Sequence, residues 1–185
     1  MFKEKTDSLC EFVLCNVGCD GNEISVKNGA HPIHIAAMEG HIACIIYLLD
    51  RTGADGNVLD TSGWTPIMYA AISNQPGSLN LLLSRGYDGN IANDKGRTPI
   101  IKASHEGHDE CVSILLTHGC DGNAVDQKGR TALMYAAEKG NEACVDVLLK
   151  HGCDRDITDN KGRSAIFFAA DAGDMKCMSL LLNRG

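Results

Sequence analysis

His31-Pro-Ile-His-Ile-Ala-Ala37 returns as Thr65-Pro-Ile-Met-Tyr-Ala-Ala71, Thr98-Pro-Ile-Ile-Lys-Ala-Ser104, Thr131-Ala-Leu-Met-Tyr-Ala-Ala137 and Ser164-Ala-Ile-Phe-Phe-Ala-Ala170, at intervals of 34, 33, 33 and 33 residues. A repeat of this length decides the architecture before any single residue does. One such unit is too short to bury its own apolar face, so neighbours must stack into a quasi-one-dimensional array. The expected working part of such a chain is an extended surface.

Working outward from these phrases, full repeats span about 26–59, 60–92, 93–125, 126–158 and 159–185, with a partial unit over about 5–25, all read as one domain over 1–185. The partial unit rests on Leu9-Cys-Glu-Phe-Val-Leu14, which matches Glu110-Cys-Val-Ser-Ile-Leu115. The repeat from Val26 carries one extra residue, in Asp50-Arg-Thr-Gly53.

Local chemistry divides each repeat. Thr65, Thr98, Thr131 and Ser164 suit helix N-caps, because a hydroxyl accepts from an orphan amide of the first turn. Pro32, Pro66 and Pro99 follow, where a missing N–H costs nothing. Gly40, Gly107, Gly140 and Gly173 end the first helix, and Asn74 takes that place in the remaining repeat. A second helix follows and carries a paired leucine, read at Leu48-Leu49, Leu81-Leu82, Leu115-Leu116, Leu148-Leu149 and Leu180-Leu181. It stops at Gly86, Gly119, Gly152 and Gly185. Asp-Gly-Asn follows at Asp20, Asp55, Asp88 and Asp121, then turn compositions such as Asp94-Lys-Gly96.

Totals narrow the function classes. The chain has 185 residues, a formal charge of −7 and 44% hydrophobic residues. No apolar run approaches the roughly 18–20 residues of a membrane span. The first residues lack the apolar stretch of a secretory signal. Net acidity argues against nucleic acid as the main partner, since phosphate binding needs clustered base. The expected setting is cytoplasmic, with the nucleus left open.

Eight of the nine cysteines fall in repeat register. Cys10, Cys44, Cys111, Cys144 and Cys177 share one position, Cys19, Cys120 and Cys153 another, and Cys15 stands alone. Cysteine in register reads as small core filler, and the thiols are expected to be reduced and metal-free. Cys10, Cys15 and Cys19 lack the paired spacing of a zinc site. No Ser or Cys nucleophile pairs with a His and an acid at a recognisable spacing. No glycine forms a phosphate loop. No cofactor and no small-molecule substrate are expected.

Helix, glycine, helix, glycine, Asp-x-Asn, turn and Thr-Pro start together resemble the ankyrin repeat, over about residues 7–185. The resemblance implies an all-α solenoid of helix-turn-helix units with projecting hairpin loops. It further implies a concave groove, lined by hairpin tips and first helices, that holds a protein partner. Catalysis is not expected of such repeats. Two other readings stay open: a regulatory or targeting region of a larger enzyme, and a substrate for asparaginyl hydroxylation at Asn22, Asn57, Asn90 and Asn123. The family's motif histidine survives only as His34, its equivalents being Met68, Ile101, Met134 and Phe167.

Two rows single out the candidate surface. The residue before the helix cap reads Ala30, Trp64, Arg97, Arg130, Arg163, and two positions earlier stand Asn28, Ser62, Lys95, Lys128, Lys161. Three Lys-Gly-Arg tips thus set six cations along one edge, about 10 Å apart from repeat to repeat. They suit a partner with an acidic segment, or are simply a solvated edge. Trp64, with Tyr69 and Tyr135 of the first helices, completes the expected partner-binding set, since tryptophan, tyrosine and arginine are common interface anchors. Phe168 in the same row reads as core. No capping unit follows the last helix, so its apolar face is expected to fray or to continue into further repeats.

Overall fold

The computed structural model describes residues 28–182. The chain divides into two compact units at Asp88 and Gly89. The first contains α1 (Pro32–Met38), α2 (Ile42–Tyr47), α3 (Pro66–Ile72) and α4 (Pro76–Ser84). The second contains α5 (Pro99–Glu106), α6 (Asp109–Thr117), α7 (Ala132–Lys139), α8 (Glu142–Lys150), α9 (Ala165–Asp171) and α10 (Met175–Leu182). No strand occurs among the described residues. The expected all-α, stacked helix-turn-helix fold is the fold present. The partial repeat about 5–25 lies outside the described residues.

Odd-numbered helices are the first of each repeat and even-numbered ones the second. In the first unit α1 packs on α3 and α2 on α4. In the second, α5, α7 and α9 form one layer and α6, α8 and α10 the other. In each unit the first helices carry small buried residues, Ala36–Ala37 and Ala70–Ala71 in the first and Ala136–Ala137 in the second. Small side chains let the helices approach closely, and Ile33, Ile67, Ile100 and Leu133 fill the space beneath. Each such aliphatic contributes roughly 1.5–3 kcal/mol by leaving water.

Local signals act as expected at some caps and not at others. The Thr65 and Thr131 hydroxyls accept from the Met68 and Met134 amides at 3.2 and 3.3 Å. Thr98 and Ser164 make no such bond, although their backbones hold the same extended N-cap conformation. Asn74 takes a left-handed conformation with φ of 52°, the glycine substitute its position required. The extra residue of the first repeat is absorbed as a π-helical turn, Leu48–Thr52, closed by the Ala54 amide on the Leu48 carbonyl. Two leucine pairs shift by one residue. Leu82 and Leu83 are buried where Leu81 and Leu82 were expected, and Leu181 is buried while Leu180 is half-exposed.

The cysteine register is a buried row. Cys111, Cys144 and Cys177 are fully buried, with Ser78 in the same place. Burial, aided by nearby acids, raises Cys111 to about 11, and burial raises Cys144 to about 12, with Asp109 and Cys111 adding to it. Cys111, Cys120, Cys144, Cys153 and Cys177 are not disulfide-bonded. Cys44 departs from the expectation of reduced thiols: it is disulfide-bonded, and none of those five is its partner. Cys10, Cys15 and Cys19 lie outside the described residues.

Candidate functional site

The four hairpins that begin at Asp60, Asn93, Asp126 and Asp159 are each folded around that buried side chain at the base. The Asp60 Oδ1 accepts from the amides of Ser62 and Trp64 at 2.8 and 2.9 Å. Asp126 does the same for Lys128 and Arg130, and Asp159 for Lys161 and Arg163, at 2.8–3.0 Å. Asn93 makes both bonds with its amide oxygen, at 3.0 Å each. The Lys-Gly-Arg sequence suits this turn. Gly96 has φ of 72°, and a Cβ there would lie 2.9 Å from the Gln127 amide of the next hairpin. Neighbouring hairpins are joined by Gln127 N–H to Lys95 O and Asn160 N–H to Lys128 O, at 3.2 and 3.0 Å.

The second unit shows what these acids do with the arginines. The Arg97 guanidinium lies 5.0 Å from the ring centre of Tyr135, donates 2.9 Å to its hydroxyl, and stands 3.5 Å from Asp126. The Tyr135 hydroxyl donates in turn to Asp126 at 2.7 Å. One repeat further, Arg130 lies 4.4 Å from the Phe168 ring centre, 3.8 Å from Asp159, and donates to both oxygens of Glu138. Arg163 folds onto Asp159 at 2.6 Å and over Phe168 at 4.7 Å. Tyr135 and Phe168 are each flanked by two guanidiniums, and Asp126 and Asp159 each have a cation.

The electrostatics follow from that arrangement. Burial alone would raise Asp126, but hydrogen bonds from Tyr135 and from the Arg130 and Lys128 amides, with the charge of Arg97, hold it below the usual range. Asp159 falls to about 2, chiefly through the hydrogen bond from Arg163. Burial and the bond to Asp126 raise Tyr135.

The candidate cations therefore separate into two kinds. Arg97, Arg130 and Arg163 fold back and are largely neutralised inside the unit. Lys95, Lys128 and Lys161 are exposed, and among the described residues none of them is in an ion pair. Tyr135, expected to present its ring to a partner, is only 3% exposed and lies beneath the arginines. Phe168 is core, as read from its row. Asp126 and Asp159, which with Asp94 read from the sequence as partly neutralising the tips, are buried partners of the arginines, and the buried Asp60 was not singled out. For Asp126 and Asp159 the signal was an arginine row with an aspartate row one repeat ahead; Asp60 has Ala30 in that place and carried no such signal.

In the first unit Trp64 and Tyr69 are both half-buried. Their rings meet edge to face, 5.7 Å between centres. The Tyr69 hydroxyl donates to Asp60 Oδ2 at 2.9 Å, and burial with that bond raises Tyr69 to about 12. These two rings border an open recess of about 470 Å³. Beneath it His34 ties the hairpin down. Its Nδ1 accepts from its own cap residue, the His31 amide, at 2.9 Å, so the proton sits on Nε2, which donates to the Val58 and Trp64 carbonyls at 3.1 and 3.0 Å. Burial lowers the pKa of His34.

The Asp-x-Asn loops are structural ties. Asn57 Oδ1 accepts from the Asp88 amide, Asn90 from Asp121, and Asn123 from Asp154, at 2.8–2.9 Å. Asn22 lies outside the described residues. Among those residues no group of three or more His, Cys, Asp and Glu side chains converges as a metal would require, and no helix is long and apolar enough to cross a membrane.

A family model described as ankyrin repeats, three copies long, matches residues 2–93 and again 76–159. Ankyrin repeats are generally protein–protein interaction modules and typically non-catalytic. Two-helix repeats in register, hairpins folded on a buried Asp or Asn, and this match over most of the sequence lead to one conclusion: the chain belongs to the ankyrin-repeat family.

Proposed function

We propose that this chain is a non-catalytic interaction module that binds a protein partner along its hairpin tips and first helices. The lysines Lys95, Lys128 and Lys161 meet an acidic segment of that partner, and Trp64 with Tyr69 supplies aromatic contact. The observation that supports this most is the division of labour at the tips. The arginines are consumed within the fold, while Lys95, Lys128 and Lys161 stand in solvent without an ion pair among the described residues. Around two of them lies a recess of about 300 Å³ lined also by Arg130, Arg163, Asn160 and Asp159, the last already paired with Arg163. Unpaired exposed lysines act mainly on encounter rate and specificity, so binding through them weakens as salt rises.

The test is affinity capture from the source cells with the wild-type chain and with the triple variant Lys95→Glu, Lys128→Glu, Lys161→Glu. A partner enriched by the wild type, lost with the triple variant and weakened by salt supports the reading. A partner retained equally by the folded triple variant refutes the lysine edge.

A further inference from the structure

The second unit provides an internal template for a vacancy in the first. In the template, an arginine from the preceding hairpin lies over an aromatic ring and pairs with the carboxylate beside it: Arg97 with Tyr135 and Asp126, Arg130 with Phe168 and Asp159. The first unit has the same ring and the same carboxylate, Tyr69 and Asp60, already joined by a 2.9 Å hydrogen bond. The preceding hairpin, however, carries Ala30 where the template has arginine.

Three consequences are visible. Asp60 is a buried carboxylate without a cation at ion-pair distance among the described residues, unlike Asp126 and Asp159. Beside this ring and carboxylate lies the recess of about 470 Å³, and among the described residues that line it Asp60 alone is charged. Asn28 donates to the Tyr69 hydroxyl at 3.0 Å, the bond Arg97 makes to Tyr135 at 2.9 Å, so it replaces the donor without replacing the charge. Trp64 meanwhile holds the place beside Tyr69 that Arg130 holds beside Tyr135, at 5.7 against 5.5 Å. Met38 adds an apolar wall on which the stem of a long side chain can lie.

We propose that this recess takes an arginine side chain of the protein partner, its guanidinium over the Tyr69 ring and paired with Asp60. The proposal rests on the reading that this surface binds a protein, and adds to it the chemistry of one contact. Arginine is favoured over lysine because the template uses its planar head in two ways at once, stacking on the ring and bridging to hydroxyl and carboxylate.

Trp64 is the single tryptophan of the chain and borders the recess, so its fluorescence reports occupancy. The probe is a capped Gly-Arg-Gly tripeptide, with the citrulline and lysine tripeptides as controls. The arginine peptide should give a saturable change, with binding at least about tenfold weaker for citrulline. Asp60→Asn should weaken it by a similar factor while leaving the hairpin folded, because Asn93 makes the same two backbone bonds in its own repeat. Ala30→Arg, which supplies the guanidinium in cis, should abolish it. No saturable change, equal binding of arginine and citrulline or of arginine and lysine, or unaltered binding by the folded Asp60→Asn or Ala30→Arg variant overturns the proposal. If any of these occurs while the lysine triple variant still loses its captured partner, the arginine site fails and the protein-binding reading stands.

Discussion

Arg97 lies over the ring of Tyr135, 5.0 Å from its centre, and donates a 2.9 Å hydrogen bond to its hydroxyl. That hydroxyl donates on to Asp126, so one cation, one ring and one buried carboxylate form a chain. Removing the cation leaves Asp126 paired by hydrogen bonds alone. Arg97→Ala should therefore lower stability by about 1–2 kcal/mol, read as a lower urea midpoint. Lys95→Ala, on the same tip, should change it by less than about 0.5 kcal/mol. Equal effects would mean that the arginine row is not a structural element.

Two acid limbs are expected in the stability profile. His34 has its pKa lowered by burial from its usual 6.5, so the unfolded chain takes up that proton first. Its contribution is complete above about 6.5 and declines as pH falls from there toward the folded value. Asp126 and Asp159 are depressed below 3.8, so their contribution is complete above that value and is lost as pH falls toward about 2 for Asp159. His34→Gln should remove the upper slope and Asp159→Asn should flatten the lower one, in urea titrations across pH. An upper limb unchanged in His34→Gln would contradict the buried neutral histidine.

The last described repeat should exchange its amides fastest within the second unit. Phe167 is 46% exposed, whereas its equivalents Ile101 and Met134 are buried, and Met175 and Leu182 are exposed as well. Fewer buried contacts lower the free energy of local opening. Hydrogen exchange on a monomeric sample should show weaker protection over 164–182 than over 98–150. Equal protection would contradict this.

Thiol chemistry separates the cysteines. Cys111, Cys144 and Cys177 are buried, and Cys111 is raised to about 11 and the other two to about 12, so little thiolate is present near neutral pH. Labelling by a thiol-specific reagent should be slow in the folded protein and fast in denaturant. Cys44 should label only after reduction. Rapid native labelling of Cys111 or Cys144 would show that the cysteine row is not a closed core.

Much of the fold was legible because it is local. The caps, the prolines, Asn74 and the helix-ending glycines act within a few residues, and the repeat supplied each reading several times. The extra residue in Asp50-Arg-Thr-Gly53 was visible as an insertion, but its resolution as a π-helical turn depended on holding both Leu48 and Ala54 in place. The tips were harder. Six cations on one edge look alike in sequence, yet Arg97 reaches an acid 29 positions ahead while Lys95 reaches none. Only stacking decides which side chain folds inward. The same holds for Tyr135, whose ring could not be told from Tyr69 until the arginines above it were placed. Cys44 followed the register of the other core cysteines and gave no separate sign of its oxidation.

The most direct measurement of the central claim is site-specific photo-crosslinking in the source cells. A photoreactive residue at Asp94, exposed beside the Lys95 tip, is compared with one at Lys150, exposed at the far end of α8. The expected result is a discrete crosslinked protein from position 94 that is absent from position 150 and disappears when Lys128 and Lys161 are changed to glutamate. Crosslinks that are equal at both positions, or that persist in the folded charge-reversed chain, would contradict a protein-binding edge at the hairpin tips.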